Sequence, residues 1–587
     1  MWSSRRPNVL GRGGTVSSDQ PTASLIGSQV LQEGGTAADA AVAVAAALNV
    51  LQPANYGIGG DAWVMYFDKE EGRVYCIDGS GTSPAGFTKQ KVEQAFAQPS
   101  RTPMAHPLTV TVPGAVAAWC ELHDRFGAQK HSLSQLFKPA VELATLGYTV
   151  GQQVAWQWRD SYDNFPLVNG YKFPAEMCHP ETKQTPKAGQ IMRLPDLAKS
   201  YEEIGTQGTY VLAVRTYVYC QRASFIGKSA FYDGRIAQSI VDCLQSNGGV
   251  MTLEDLATYS VQYSEPVSVT FKPSHFSQPV RVYETPLNSQ AVVTLEALKM
   301  LDRFGLDQLR PFDGDYYHLV LEALKLSFED LSNVFRTVPD PKAADRLLDT
   351  GHIASRAELL DISKARNIGK RSAKPTSGGD TTYFCVVDRK GNACSAVSSN
   401  YWGFGTPWVP KGCGFTLHNR GYHFWEFMHK NFAPRVRPFH TLCAGIVTTD
   451  QMSRRPELLS AFGCMGGQNQ PQGHLQLLLN QIQWGLGPQE SLDKIRVMVD
   501  YNFETDDAIV NLEDRCRSEK LSRELQAKGH LVAPYFYDGF ERGGKFGRGH
   551  IISKGCWWHK TGDYFDDATV LWAGSDPRSD GLPVALP

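Results

Sequence analysis

The sequence predicts an α+β fold, and three observations carry that prediction: a strand hairpin around residue 390, helices of small or periodic apolar residues near 40 and 295, and a strand-to-helix run after 458. In chain order, Gly34-Gly35-Thr36 opens the first helix, with Thr36 as its cap, Asp39 at the third position, and the run Ala40 to Leu48 behind it, whose small side chains let neighbours approach closely. The stripe Ala291, Leu295, Leu298, Leu301 has helical spacing and ends near Gly305. Residues 370–379, Lys-Arg-Ser-Ala-Lys-Pro-Thr-Ser-Gly-Gly, lack apolar periodicity and predict a mobile loop. Residues 381–388 and 393–399 then read as two strands around Arg389-Lys390-Gly391-Asn392, a pairing suited to a tight hairpin. Leu458 to Phe462 reads as a strand, Gly466-Gly467 as the turn after it, and Leu475, Leu478, Leu479, Ile482 as the helix that follows.

At 587 residues, several domains would be the ordinary expectation, yet no proline-rich linker, repeat or low-complexity block divides the chain. A hydrophobic share of 42% and a charged share of 20% describe a soluble globular protein. A net charge of −2 argues against nucleic acid or an acidic membrane as partner, and the pair Arg5-Arg6 reads as solvated surface. The longest apolar run falls short of the ~20 residues needed to cross a bilayer. No signal-peptide stretch follows the first arginines, and twelve cysteines without Cys-x-x-Cys spacing fit reduced, buried thiols, so a cytoplasmic address is expected.

The most informative run is Asp380-Thr381-Thr382. Taken alone, two threonines also suit a plain strand start. A threonine hydroxyl is a poor nucleophile at neutral pH, and one remedy is to cut the chain just before it. The freed α-amine, with a pKa near ~7.7–8.0, can take the hydroxyl proton directly or through a water. The cut can be intramolecular, with the Thr381 hydroxyl attacking the Asp380 carbonyl. It would yield two pieces, 1–380 and 381–587, from one precursor.

The segments Gly34 to Leu48, Gly57-Ile58-Gly59-Gly60-Asp61, Val112-Pro113-Gly114, Thr381-Thr382, Asn419, Arg437-Pro438, Met465-Gly466-Gly467 and Gly574-Ser575-Asp576-Pro577-Arg578 follow one another as in the gamma-glutamyltransferase family. The chain resembles that family over nearly its whole length. The resemblance implies a four-layer αββα sandwich of the N-terminal-nucleophile hydrolases, with both pieces in one core, and an amide hydrolase or acyltransferase acting on a small-molecule amide without a cofactor. Thr381 matches the nucleophile, Ser399 the hydroxyl that supports it, and Gly466 and Gly467 the oxyanion glycines. Removing one oxyanion donor typically costs ~3–4 kcal/mol. A hairpin centred near residue 390 places 381 beside 399, although an exposed strand serine and an ordinary Gly-Gly turn read the same way without the resemblance.

The substrate positions depart from a glutathione-preferring enzyme. Ser80 stands where the family's carboxylate-gripping arginine falls; Arg420 and His423, after Asn419, replace an amide and an acid; His440-Thr441 replace a serine pair; Asn400 and Tyr401 lie where a pocket asparagine is expected. Such a pocket disfavours an ammonium. The pattern resembles the acylase and amidohydrolase branch, and predicts an acyl group with a carboxylate or carbonyl but no α-ammonium. Two alternatives are a glutathione hydrolase whose glutamate pocket is rebuilt by other side chains, and an uncleaved binding or scaffold protein. Other motifs carry no function: Gly227-Lys228-Ser229 lacks the glycine of a phosphate loop, Arg222 standing in its place, and reads as a turn; no nucleophile elbow occurs; His423, Glu426 and His429 lack metal-site spacing.

Overall fold

The computed structural model describes residues 6–96, 103–169, 171–214, 224–272, 278–335, 342–366, 380–428, 431–450, 454–501, 507–513, 515–537, 539–559 and 567–587. The segment expected to be a mobile loop, 370–379, lies outside the described residues. Two seven-stranded antiparallel sheets form the centre. In spatial order the first holds Leu582–Leu586, Gly14–Ser18, Asp380–Asp388, Ala393–Tyr401, Asp61–Asp68, Arg73–Gly79 and Gln262–Ser264. The second holds Val9–Gly11, Leu571–Ser575, Gly549–Lys554, Leu458–Cys464, Gly445–Thr449, Val280–Glu284 and Val267–Phe271.

Strand periodicity sorts the core into layers. Along Asp380–Asp388 side chains alternate between faces: Tyr383, Cys385 and Val387 pack against the other sheet with Trp63, Val397, Ile446, Ala461 and Ile552. Phe384 and Val386 instead join the core beneath the helices Pro21–Gln32, Ala37–Leu51, Ala115–Phe126 and Leu133–Leu146. The helices Val292–Phe304, Gly314–Val334 and Asn469–Ile482 cover the outer face of the second sheet. The stack is helix, sheet, sheet, helix, a four-layer α+β sandwich. A smaller sheet, Val497–Tyr501, Ala508–Glu513 and Leu531–Tyr537, flanks the second helical layer.

Local sequence chemistry explains the key elements. Every residue of Ala37–Leu51 is buried, and its start is a reciprocal cap: Thr36 Oγ1 accepts from Asp39 N, and Asp39 Oδ2 accepts from Thr36 N at 2.9 Å. The turn between the paired strands Asp380–Asp388 and Ala393–Tyr401 holds Gly391 at φ +91°, which favours glycine. No disulfide joins the cysteines whose side chains are described, and all of these but Cys243 are buried. Two expectations need correction. Residues 227–229 are no turn; they lie inside the helix Ser224–Tyr232. Arg6 is not simply solvated: its guanidinium donates to the carbonyls of Asp576, Ser579 and Gly581, because the first strand of the chain packs beside the last. Among the described residues no helix is long and apolar enough to cross a membrane.

Candidate active site

Alternation places Thr381 on the face between the sheets and Thr382 on the helix side, where the Thr382 hydroxyl donates to Gln52 Oε1 at 3.1 Å. Thr381 is 1% exposed and pairs directly across the ladder with Ser399. Its Oγ1 donates to Ser399 Oγ at 3.3 Å, and the Tyr401 amide donates to the same oxygen at 2.7 Å. The register slips between Asp380, opposite Tyr401, and Thr381. Such irregularities re-aim a side chain. Here the slip leaves Tyr401 at φ +76°, a conformation that costs a bulky residue on the order of 1–3 kcal/mol.

The row continues one strand further, since Ser399 pairs with Asp61. Asp61 is fully buried, and its Oδ2 faces Arg420 Nε at 3.1 Å, His440 Nε2 at 3.1 Å and His418 Nδ1 at 3.2 Å. Its Oδ1 accepts from the Gly81 amide at 3.1 Å. Burial pushes the Asp61 carboxyl up, but the facing His418 and His440 outweigh it and hold the group well below the usual carboxylate range. Burial and the Arg420 guanidinium pull His440 down to about 3, and the same two causes hold His423 far below the ordinary imidazole value. At neutral pH His440 and His423 are therefore neutral imidazoles beside the Asp61 carboxylate and the Arg420 guanidinium.

Arg420 organises the remaining predicted residues. Its Nη1 donates to Thr441 Oγ1 at 2.9 Å, and its guanidinium lies 4.9 Å from the centre of the Tyr401 ring, which packs edge-on against His423 at 4.2 Å. The His423 Nδ1 donates to the Phe439 carbonyl at 2.6 Å. Gln290 Nε2 donates to the carbonyls of Thr441, at 2.8 Å, and Gly467, at 2.9 Å, and so joins this wall to the glycine turn. Gly466 and Gly467 sit at φ +123° and +56°, immediately before the helix Asn469–Ile482. A Cβ on Gly466 would stand 3.0 Å from Gly547 Cα. Two consecutive amides at left-handed positions before a helix form an anion-favouring concavity. Arg548 ties this turn to the strand Asp380–Asp388, its carbonyl accepting from the Met465 amide at 3.0 Å and its Nη2 donating to the Thr381 carbonyl at 3.5 Å.

Two predicted residues stand apart. Asn400 faces the helical layer and lines a cavity of about 10 Å³ with Tyr56, Met177 and Phe415. Among the described residues its amide atoms have no hydrogen-bond partner. Asn419 is taken up by the backbone, its Nδ2 donating to the Met104 carbonyl at 3.0 Å and its Oδ1 accepting from the Trp402 amide at 3.3 Å. Beside Arg420, His423 and His440, the residues expected to disfavour an ammonium, the fold sets the carboxylate of Asp61. Asp61, His418, Gln290 and Arg548 received no role from sequence. For Asp61 the signal was the run Gly57-Ile58-Gly59-Gly60-Asp61, quoted above only as a likeness. Arg437 brings a guanidinium to Ser80, 3.4 Å from its Oγ and 3.7 Å from Asp78 Oδ1.

Among the described residues, two side-chain groups have metal-ligating geometry, His318–Glu322–His530 and Glu296–Asp330–His352. In the first, His318 Nε2 donates to the Asp361 carbonyl at 2.7 Å, which leaves Nδ1 to accept from His530 Nε2 at 2.7 Å, and His530 Nδ1 to accept from Lys325 at 3.1 Å. Every ring nitrogen is then in use within the protein. In the second, Arg356 Nε already stands 2.7 Å from Asp330.

The family model for gamma-glutamyltranspeptidase matches residues 23–586. The chain is 30% identical over 586 residues to the glutathione hydrolase-like YwrD proenzyme of Bacillus subtilis (strain 168), covering 99% of each. It is 26% identical to the acylase ACY 1 proenzyme of Pseudomonas sp. (strain SE83), over 98% of this chain and 94% of that one. Among solved structures, the cephalosporin acylase of Bacillus halodurans superposes with a TM-score of 0.80 at 30% identity, over 100% of this chain and 98% of that one.

Proposed function

The chain belongs to the gamma-glutamyltranspeptidase family, an enzyme family of amide hydrolases, and from that premise we propose that Thr381 is its nucleophile, freed by a cut after Asp380. The observation that carries the reading is the buried pairing of Thr381 with Ser399, one peptide past the proposed cut and on the face shared by the two sheets. Once cut, the Thr381 α-amine takes the hydroxyl proton while Oγ1 attacks the amide carbonyl. Ser399 Oγ, already the acceptor for Thr381 Oγ1 and the Tyr401 amide, holds the hydroxyl in place. The Gly466 and Gly467 amides steady the oxyanion. Collapse expels the amine, which takes up the proton, and leaves an ester on Thr381. Water, or a second amine, then releases the acyl group.

The acyl group has no α-ammonium under this reading, since Arg420, His423 and His440 stand where an acid and amides would hold one, and the Asp61 carboxylate beside them is already taken up by Arg420, His440 and the Gly81 amide. Denaturing electrophoresis with N-terminal sequencing tests the cut: two chains are expected, the second beginning at Thr381, and one intact chain refutes it. Turnover of a γ-glutamyl anilide against glutaryl and oxamate-type amides tests the acyl group, and a large preference for the γ-glutamyl compound refutes it. A second reading, a rebuilt glutamate pocket, is favoured by one observation: Arg437 brings a guanidinium to Ser80, where the family's arginine is missing.

A further inference from the structure

We infer that Asp61 sets acyl specificity: paired with Arg420, it makes the acyl pocket electrically neutral and selects acyl groups that end in an uncharged hydrogen-bonding group over those that end in a carboxylate. The inference rests on the reading of Thr381 as nucleophile. Asp61 lies on the Thr381–Ser399 row, two strands from the nucleophile. An acyl chain attached to Thr381 and running along that row meets the Arg420 side of the cluster.

Asp61 accepts hydrogen bonds from Arg420, His440 and the Gly81 amide on its two oxygens, so its carboxylate is fixed and cannot turn away from Arg420. A substrate carboxylate approaching that guanidinium therefore meets a second anion already bound to it, in a buried setting where screening is weak. The other two arginines around the row are matched in the same way. Arg437 faces Asp78 at 3.7 Å, and Arg548 faces Asp19 at 2.9 Å. His440 and His423, neutral at working pH, add no cation. What remains for a ligand is hydrogen bonding, which suits a carboxamide, keto or hydroxyl terminus.

The test uses two p-nitroanilides of equal length on the mature protein, one with a glutaryl acyl group and one with the terminal carboxylate replaced by a carboxamide. The wild type is expected to favour the carboxamide donor by about tenfold or more in kcat/KM. Asp61→Asn leaves Arg420 uncompensated and is expected to reverse that preference, chiefly by lowering KM for the glutaryl donor. The double variant Asp61→Asn, Arg420→Gln removes both charges and is expected to restore the carboxamide preference, which also covers the case in which the single variant does not fold. A wild-type preference for glutaryl, or no carboxamide turnover, overturns the inference, as does a loss for both donors in equal measure in Asp61→Asn. Turnover that persists in Thr381→Ala sinks the nucleophile reading and this inference together. A glutaryl preference in a protein whose Thr381→Ala variant is inactive sinks this inference alone.

Discussion

Among the buried charge clusters of the described residues, the one around Asp61 and the one around Asp576 solve different problems. In the second, Arg578 binds Glu513 and Asp576, and Arg496 binds Asp576. Both arginines spend their other donors on backbone carbonyls, Arg578 on Leu492 and Lys494, and Arg496 on Phe546 and Gly547. That cluster is a bolt that fastens the small sheet to the second large one. Around Asp61 the partners are side chains, two of them imidazoles, beside a tyrosine at positive φ and on the row of Thr381. Burial and charge are common to both. What sets the Asp61 cluster apart is that its groups hold one another, with side-chain hydrogen bonds and a strained residue beside the strand Asp380–Asp388.

The sharpest way to break this comparison is at Thr381. Thr381→Ala is expected to leave the precursor uncut and to lower amide turnover by on the order of 10⁴–10⁶-fold, read by electrophoresis and anilide hydrolysis, while thermal unfolding stays close to wild type. Arg578→Ala addresses the other cluster. It strands two buried carboxylates and should cost about 3–5 kcal/mol of stability, visible in denaturant titration, with turnover per folded molecule little changed. Gly466→Ala comes next: a Cβ at φ +123° and 3.0 Å from Gly547 Cα displaces the turn, and a drop in kcat of about 10²–10³-fold is expected with a smaller change in KM.

The smallest effect is on pH. His440 in the folded protein takes its proton only near pH 3, whereas the unfolded chain takes it near ~6.5. Below ~6.5 the unfolded state therefore binds more protons, and stability contributed at neutral pH is lost as pH falls from there toward 3, at about 1.4 kcal/mol per pH unit for one proton. His440→Gln should flatten that limb in unfolding curves taken from pH 7 to 4.

The hairpin, the Ala37–Leu51 helix, the Val292–Phe304 helix and the strand-to-helix run after 458 were legible in the sequence, because caps, turns and periodicity are local. The pairing of 381 with 399 was legible for the same reason: a turn centred near 390 fixes the register. The Asp61 cluster was not. Its partners lie 357, 359 and 379 residues away, and no spacing rule reaches that far. Reading Arg420, His423 and His440 by their neighbours in sequence therefore left out the aspartate that the fold brings in from another strand. Asn400 was misjudged in kind by one position, since adjacent strand residues face opposite layers and only Ser399 looks toward the second sheet.

The ladder order of the two sheets bears on what scission ahead of Thr381 can do. The strand Asp380–Asp388 is bonded on one side to Gly14–Ser18 and on the other to Ala393–Tyr401, which is itself bonded to Asp61–Asp68, and the closing strand Leu582–Leu586 lies outside Gly14–Ser18. Early and late stretches of polypeptide are thus woven alternately, like warp and weft. Neither fragment would own either seven-stranded sheet, so a cut there is expected to come after the weaving, and the nicked molecule to migrate as one particle in gel filtration until denaturant unpicks it.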